Sequence, residues 1–255
     1  MKHARGTELR VSVVVPLRNE ALNLAPLVDE IAAAGAAFAP FEVILVDDGS
    51  TDDTRAVAQG LQQGRAWLRL IAHDRSGGQS AAIHSAVLAA RAPVIATLDG
   101  DGQNPPAELP RLVAPLLAED APDDLGLVAG QRVGRRDTLS RRLASGFANG
   151  LRARVLRDGT RDTGCGLKAF RRDAYLALPY FNHQHRYLPA LFARDGWAIR
   201  HVDVTHRPRH AGRSNYTNLG RALVGIVDLA GVAWLLRRRK RCHAQELAPA
   251  APQGK

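Results

Sequence analysis

The stretch ATLDGDGQNPPAELPRLVA, residues 96–114, closes an apolar run with two aspartates two apart, then places a glutamine, an asparagine and two prolines before helical periodicity begins. A β-rich run, a polar break and a helix start together form the repeating unit of a parallel sheet, where each strand feeds a crossover helix. The same unit recurs outward from here. Strand-like runs stand at 11–17 (VSVVVPL), 42–48 (EVILVDD), 68–72 (LRLIA) and 94–99 (VIATLD), and helical periodicity fills about 20–34, 51–63 and 78–91. The alternation predicts an α/β fold with a Rossmann-like, mostly parallel sheet and helices on both faces.

In such sheets ligands sit beyond the carboxyl ends of the strands. The residues that close the strands here are Arg18-Asn19-Glu20, Asp47-Asp48-Gly49-Ser50 and Asp99-Gly100-Asp101. Helix capping accounts for part of this rim: Ser50 with Asp53 three residues on reads as a capping box, and Asn104 before Pro105 and Pro106 as a helix start. It leaves Asp47, Asp48, Asp99 and Asp101 unexplained, because their mutual repulsion is costly without a cation or donors to offset it. Asp101 and Gln103 alternate to one side of an extended segment and can face one ion. Hard oxygen ligands suit Mg²⁺ or Mn²⁺, which bind through one or two carboxylates plus substrate phosphates. A diphosphate-bearing substrate is then the third partner. Arginines of the second half (Arg132, Arg135, Arg141, Arg142, Arg207, Arg209) are suited to a leaving diphosphate or a second phosphate.

The chain has 255 residues, which favours one domain with appendages. Its formal charge of +10 comes almost wholly from Arg, with Lys only at 2, 168, 240 and 255, and suggests an anionic partner: a phosphorylated substrate, a nucleic acid or an anionic membrane. Aromatic residues are 5% of the chain with no evident stacking platform, which argues against nucleic acid. Cys165 and Cys242 lack metal-site spacing and are too few for a disulfide scaffold, so a reducing compartment is expected. The N-terminus lacks the apolar core of a signal peptide, and export is not expected.

In the second half a strand (LGLVAG, from 125) precedes a helical stretch to about 156, then comes the Gly-punctuated, cationic DTGCGLKAFRR (162–172), a helix over 185–195 and a strand that ends in a cationic loop. The H-x-H pair His183 and His185 has no acidic or Cys partner nearby in sequence, which suits surface or acceptor-pocket histidines better than zinc ligands. SGGQS (76–80) lacks the lysine of a P-loop and is expected to shape a helix start. Residues 219–236 are apolar except for Arg221 and Asp228, and only 15 residues separate Arg221 from the basic run RRRKR at 237–241. That is short of the roughly 20 a spanning helix needs. It fits an amphipathic helix on an anionic membrane surface, or one packed against a second copy or a membrane-protein partner. The expected organisation is an N-terminal extension (1–10), a catalytic domain (11–215), the surface helix with its basic cluster (216–241) and a disordered tail (242–255).

VVVPLRNE (13–20), VDDGSTDDT (46–54), SGGQSAAIHSA (76–86), LDGDGQNPPAELPRLV (98–113), DTGCGLKAFRR (162–172) and RPRHAGRSNY (207–216), in this order and at this spacing, resemble the family 2 glycosyltransferases. Within that family the likeness is to polyprenyl-phosphate glycosyltransferases of the dolichol-phosphate mannosyltransferase type, and it covers about 11–216. The resemblance implies a GT-A fold, a nucleotide-diphosphate sugar donor, Mg²⁺ or Mn²⁺, inversion at the anomeric carbon, and a polyprenyl phosphate acceptor at the cytoplasmic face of an inner membrane. It places Pro16, Glu20 and Asp48 at the nucleoside, with Asp47 supporting that loop, and counts Arg18, Gly78, Gln79 and Gly100 with the donor site. Asp99, Asp101 and Gln103 match the family's metal motif, Arg132 and Arg209 its phosphate-holding positions, and Asp162 the place of a catalytic base. The SKY-like signature reads Ser214-Asn215-Tyr216 here, without its usual cation.

The acceptor sets the role of Asp162. A lipid phosphate is already anionic and attacks without deprotonation, so Asp162 would orient its cationic neighbours; a sugar hydroxyl would need it as general base. Transfer to a polysaccharide or glycolipid hydroxyl is therefore the rival within enzymes, and a non-catalytic nucleotide-sugar or nucleic-acid binding module the rival outside them.

Overall fold

The computed structural model describes residues 8–133, 152, 154–156, 158–207, 218–238 and 242, with only the backbone path given for 218–223. Its strands are β1 (Val11–Leu17), β2 (Phe41–Asp47), β3 (Leu68–Ala72), β4 (Val94–Thr97), β5 (Leu125–Arg132), β6 (Lys168–Arg171) and β7 (Ala198–Val204). The helices are α1 (Ala21–Gly35), α2 (Thr54–Gln62), α3 (Gln79–Ala89), α4 (Leu109–Leu117), α5 (Arg172–Leu176), α6 (Leu188–Arg194) and α7 (Asn218–Arg237).

One sheet runs β3-β2-β1-β4-β6-β5-β7. The β1/β2, β1/β4, β2/β3 and β5/β7 pairs are parallel, while β6 lies antiparallel to β4 and β5. The expected α/β fold with a mostly parallel sheet is therefore present. From β1 the chain first winds outward through β2 and β3 and then returns to β4 on the other side of β1. That reversal opens a crevice beyond the carboxyl ends of β1 and β4, where Leu17 and Asp99 lie.

Both faces of the sheet are covered, so the central strands read as nearly unbroken apolar runs. Val11, Val13 and Val15 of β1 face a core built with Leu24, Leu27, Val28 and Ile31 of α1, Ala58 of α2 and Leu109, Leu112 and Leu116 of α4. Val14 faces the opposite core, with Ala82, Ile83 and Ala86 of α3, Tyr175 of α5, Leu188, Leu191 and Phe192 of α6, and Val232 of α7. Among the described residues only the window 21–38 is long and apolar enough to cross a membrane. Its Leu24, Leu27, Val28 and Ile31 are buried against the sheet, as befits a core helix.

Two expected helix starts are built differently. Ser50 makes no capping box: α2 begins at Thr54, whose N–H donates to Asp52 Oδ1 at 3.0 Å, and the Ser50 hydroxyl instead accepts the Asn19 N–H at 3.0 Å. Asn104 precedes a 3₁₀ turn (Pro106–Glu108) that leads into α4, but its amide donates to Asp99 Oδ2 at 2.9 Å rather than capping. In both cases a residue from a neighbouring strand end offered a better partner than the local backbone.

Candidate active site

The rim is assembled from three strand ends clasped to one another. After β1, the Glu20 N–H donates to Thr54 Oγ1 at 2.8 Å, the Glu20 carboxylate accepts from Asn23 at 2.6 Å, and Asn19 Oδ1 accepts the Thr51 N–H at 2.8 Å. Asn19 is held at a positive φ of 57°, a conformation Asn tolerates better than most residues. Pro16 lies within β1, and Arg18 is exposed at its end. After β2, Asp47 accepts from the Ser50 N–H at 3.0 Å and from Arg55 Nε at 2.7 Å.

Asp48 is the most heavily bonded carboxylate of this rim. Its two oxygens take four donors: His73 Nδ1 at 2.7 Å, Ser76 Oγ at 2.7 Å, and the Gly77 and Gly78 N–H groups, each at 2.8 Å. Burial alone would raise its pKa, but these donors outweigh it and hold the carboxyl below the ordinary aspartate range. Asp48 therefore folds the 73–78 loop onto the sheet. The glycine N–H groups of SGGQS, for the same reason, are spent on Asp48 and shape the start of α3, with Gly78 at a φ of +85° that favours glycine.

Asp99 is the hub of the crevice. β4 ends at Thr97, two residues earlier than the sequence pattern suggested, and the chain turns through 100–104. Asp99 Oδ1 accepts from Gln79 Nε2 at 2.7 Å and Oδ2 from Asn104 Nδ2 at 2.9 Å. A Cβ on Gly100 would lie 2.5 Å from Leu17 Cδ2 and 3.0 Å from Pro16 O, so glycine lets the β1 and β4 ends close on each other. A Cβ on Gly166 would lie 2.4 Å from Asp99 Oδ2. Thr97 Oγ1 pins that glycine by donating to its carbonyl at 2.7 Å.

Burial first, and then the Asp101 carboxylate, push the Asp99 pKa up; Lys168, the Asn104 amide and Arg132 hold it back. Lys168 is a buried lysine at the start of β6, donating to the Cys165 carbonyl, and burial pushes its own pKa down. Sequence reasoning passed over Lys168 and Gly166. A lone lysine opening an apolar strand in an arginine-rich chain was the available signal.

The link between Asp101 and Gln103 is a turn, not alternation along an extended segment. Asp101 Oδ1 accepts the Gln103 N–H at 3.1 Å, with Gly102 at a φ of +72° between them. The Gln103 amide nitrogen points toward the Arg207 carbonyl, at 3.4 Å, and His206 Nε2, at 3.5 Å. The donor set of Asp99, Asp101 and the Gln103 amide is hard oxygen, and the charge crowding at Asp99 is of the sign a divalent cation relieves, so these residues fit Mg²⁺ or Mn²⁺. Among the described residues no three His, Cys, Asp or Glu side chains converge on a metal position, so the chain supplies part of a coordination shell at most.

Arg132, at the end of β5, is locked to Asp162 by a fork: Nε to Oδ2 at 2.5 Å and Nη2 to Oδ1 at 2.9 Å. Gln131 Oε1 fixes the far side of the fork by accepting the Arg161 and Asp162 N–H groups at 2.8 and 2.9 Å. Asp162 heads this pair's pull on Arg132, whose pKa is raised by it. Arg207, expected among the phosphate-holding arginines, pairs instead with Glu30 of α1 at 2.9 Å. Arg135, Arg141, Arg142, Arg209, Ser214, Asn215 and Tyr216 lie outside the described residues.

The histidine pair separates. His183 Nδ1 meets Asp228 of α7 at 2.8 Å, and His185 Nδ1 meets Ser80 Oγ at the start of α3 at 2.7 Å, so the two do not share a ligand.

Comparison with known proteins gives this geometry a family. A family model described as glycosyl transferase family 2 matches residues 12–178. The dodecaprenyl-phosphate galacturonate synthase of Rhizobium johnstonii is 36% identical over 248 residues, 93% of this chain and 72% of that protein. The undecaprenyl-phosphate 4-deoxy-4-formamido-L-arabinose transferase of Pectobacterium carotovorum is 34% identical over 211 residues, 82% of this chain. This chain spans 63% of the length of that second relative. Among solved structures, the glucosyl-3-phosphoglycerate synthase of Mycobacterium tuberculosis with Mn²⁺, UDP and glucosyl-3-phosphoglycerate superposes with a TM-score of 0.67 over 89% of this chain and 80% of that one, at 20% identity. At that identity the likeness establishes the fold, which is the expected GT-A arrangement. By sequence, sheet topology and rim, the chain belongs to glycosyl transferase family 2.

Proposed function

We propose that the protein transfers a sugar, with inversion at the anomeric carbon, from a nucleotide-diphosphate sugar to a polyprenyl phosphate at a membrane surface. The observation that carries this reading is the Arg132–Asp162 fork. A carboxylate whose two oxygens are both engaged by one guanidinium is a poor proton acceptor, so the site is ill suited to activating a hydroxyl. It is well suited to an acceptor that arrives ionised, because the fork aims a cation at the crevice and Asp162 sets its orientation. The names of the two relatives, each acting on a polyprenyl phosphate, support the same acceptor class.

In the reaction a phosphate oxygen of the acceptor forms a bond to the anomeric carbon while the bond from that carbon to the donor diphosphate breaks, and the electron pair leaves with the nucleoside diphosphate. No proton has to move. Mg²⁺ or Mn²⁺, held by Asp99 and Asp101 with Gln103 close by, would supply positive charge to the diphosphate. Lys168 keeps charge balance behind Asp99, and Gln79 and Asn104 fix that carboxylate's orientation. Glu20 and the loops clasped by Asp47 and Asp48 form the side of the crevice assigned to the nucleoside.

The test is to incubate purified protein with Mn²⁺, undecaprenyl phosphate and a panel of nucleotide sugars, and to follow the lipid product. Formation of a sugar-phosphate lipid is the expected result. Nucleoside diphosphate released without lipid product, but with a sugar joined to an added glycan or glycolipid hydroxyl, would overturn it.

A further inference from the structure

Beside the crevice, the start of α3 and the segment 182–186 enclose a cavity of about 130 Å³, lined by Gly77, Gly78, Gln79, Ser80, Asn182, His183, His185 and Arg186. No carboxylate is among its lining residues. Arg186 is half-buried there and its guanidinium forms no hydrogen bond or ion pair with any described residue, unlike Arg132, Arg152 and Arg207, which are each paired. A partly desolvated guanidinium left unpaired in a recess favours an anion as its partner.

The imidazole of His185 is anchored in this wall of the cavity. Ser80 Oγ accepts the His185 backbone N–H at 3.2 Å and sits 2.7 Å from His185 Nδ1. The backbone contact and the ring contact together tie His185 to the start of α3. Burial, followed by the charges of Lys168, Arg186 and His183, drives the His185 pKa well down, so the ring adds no positive charge to the cavity near neutral pH. The His183 backbone is held at a positive φ of 66°, at the head of the 3₁₀ turn (Gln184–Arg186) that carries both His185 and Arg186 to the cavity. Gln79 joins the cavity to the chemistry: it lines the recess while its amide holds Asp99 Oδ1 at 2.7 Å.

From this juxtaposition we infer that the cavity receives an anionic sugar, a hexuronate, whose carboxylate is read by the Arg186 guanidinium. The inference rests on the nucleotide-sugar reading above and adds the class of sugar. A neutral hexose offers hydroxyls to the same donors but leaves the Arg186 charge uncompensated, and so binds less well.

The experiment measures binding by calorimetry with Mn²⁺, using UDP and two matched pairs, UDP-glucuronate with UDP-glucose and UDP-galacturonate with UDP-galactose. In the wild-type protein at least one uronate should bind about tenfold or more tightly than its matched hexose, the scale of one charge-assisted hydrogen bond. Arg186→Gln should remove that preference while leaving UDP binding unchanged, and Arg186→Lys should restore part of it. UDP binding with no uronate preference in the wild type overturns the inference, and so does a preference that survives Arg186→Gln. The wild-type comparison needs no variant to fold. Absence of UDP binding would instead strike at the nucleotide-sugar reading itself, so the two failures are told apart.

Discussion

Arg132 and Asp162 face each other across two parallel contacts, Nε to Oδ2 and Nη2 to Oδ1, so one side chain cannot act without the other. Loss of a general base normally lowers the rate by about 10²–10⁴. Asp162→Asn removes only the orienting anion here, and turnover on a polyprenyl phosphate should fall by about tenfold, with the acceptor KM rising more than kcat falls. Arg132→Gln should be the more damaging of the two. Initial rates on undecaprenyl phosphate decide it, and an Asp162→Asn loss of 10³ or more would return Asp162 to the role of base.

Gly166 tests how tightly Asp99 is held. Its missing Cβ would fall 2.4–2.5 Å from all three atoms of the Asp99 carboxyl group, and Thr97 anchors the glycine carbonyl so that the backbone cannot easily retreat. Gly166→Ala should displace the carboxylate and weaken Mn²⁺-dependent UDP binding by about tenfold or more, since misplacement near 1 Å costs on the order of 10² in such sites. Unchanged affinity in calorimetry would mean that Asp99 does not need this position.

The crowding of Asp99 and Asp101 predicts a stabilisation by ligands. Mn²⁺ with UDP should raise the Tm more than either alone, because the pair binds only the folded chain and relieves the repulsion that pushes Asp99 up. Asp101→Asn should abolish the synergy, and EDTA should return the wild type to its unliganded Tm. Equal shifts with and without Mn²⁺ in differential scanning fluorimetry would argue against a metal at this turn.

Asp48 sets an acid limit on stability. Its pKa is depressed in the folded chain, so its contribution is fully present above the unfolded aspartate value and is lost as pH falls through the lower folded value. Asp47, whose Ser50 and Arg55 contacts likewise outweigh burial, has the same sign. Asp48→Asn should cost about 2–4 kcal/mol at neutral pH, given that it removes charge-assisted bonds to several donors at once. The cost should shrink toward zero in strongly acidic buffer, where the wild-type carboxylate is protonated too. Urea unfolding at a series of pH values measures this, and a pH-independent difference would refute it.

Most of the fold was readable because the sheet is buried on both sides. The apolar run VSVVVPL coincides with β1, a central strand buried along almost its whole length. The site was readable as a set of strand ends but not as a set of contacts. The contacts of Asp48 were not legible because its partners, Ser76, Gly77 and Gly78, lie 28 to 30 residues away. Ser50 and Asn104 obeyed local capping rules in sequence and were claimed by Asn19 and Asp99 in space. Arg186 and His185 gave no sequence signal beyond an H-x-H spacing, because what distinguishes them is an absent partner and a serine hydroxyl 105 residues away.

The last prediction concerns α7, which has one buried face and one exposed one. Val232 is in the core with Leu229 and Leu236 packed beside it, while Ile226, Val227 and Trp234 are 65, 71 and 58% exposed. Arg238 lies 5.5 Å over the Trp234 ring, at the start of the sequence's basic run. An anionic leaflet satisfies the apolar stripe and the cations at once, whereas a second copy of the same charge would leave the basic run uncompensated. Vesicles rich in phosphatidylglycerol should therefore bind the protein and shift Trp fluorescence to the blue; phosphatidylcholine vesicles should bind weakly. Salt at about 1 M, where the Debye length is near 3 Å, should weaken the anionic binding. Val227→Asp should reduce it by about tenfold or more while leaving soluble-nucleotide binding intact, because the residue touches neither the core nor the crevice. Dimerisation through this face in light scattering, with no vesicle binding, would assign the stripe to a second copy instead.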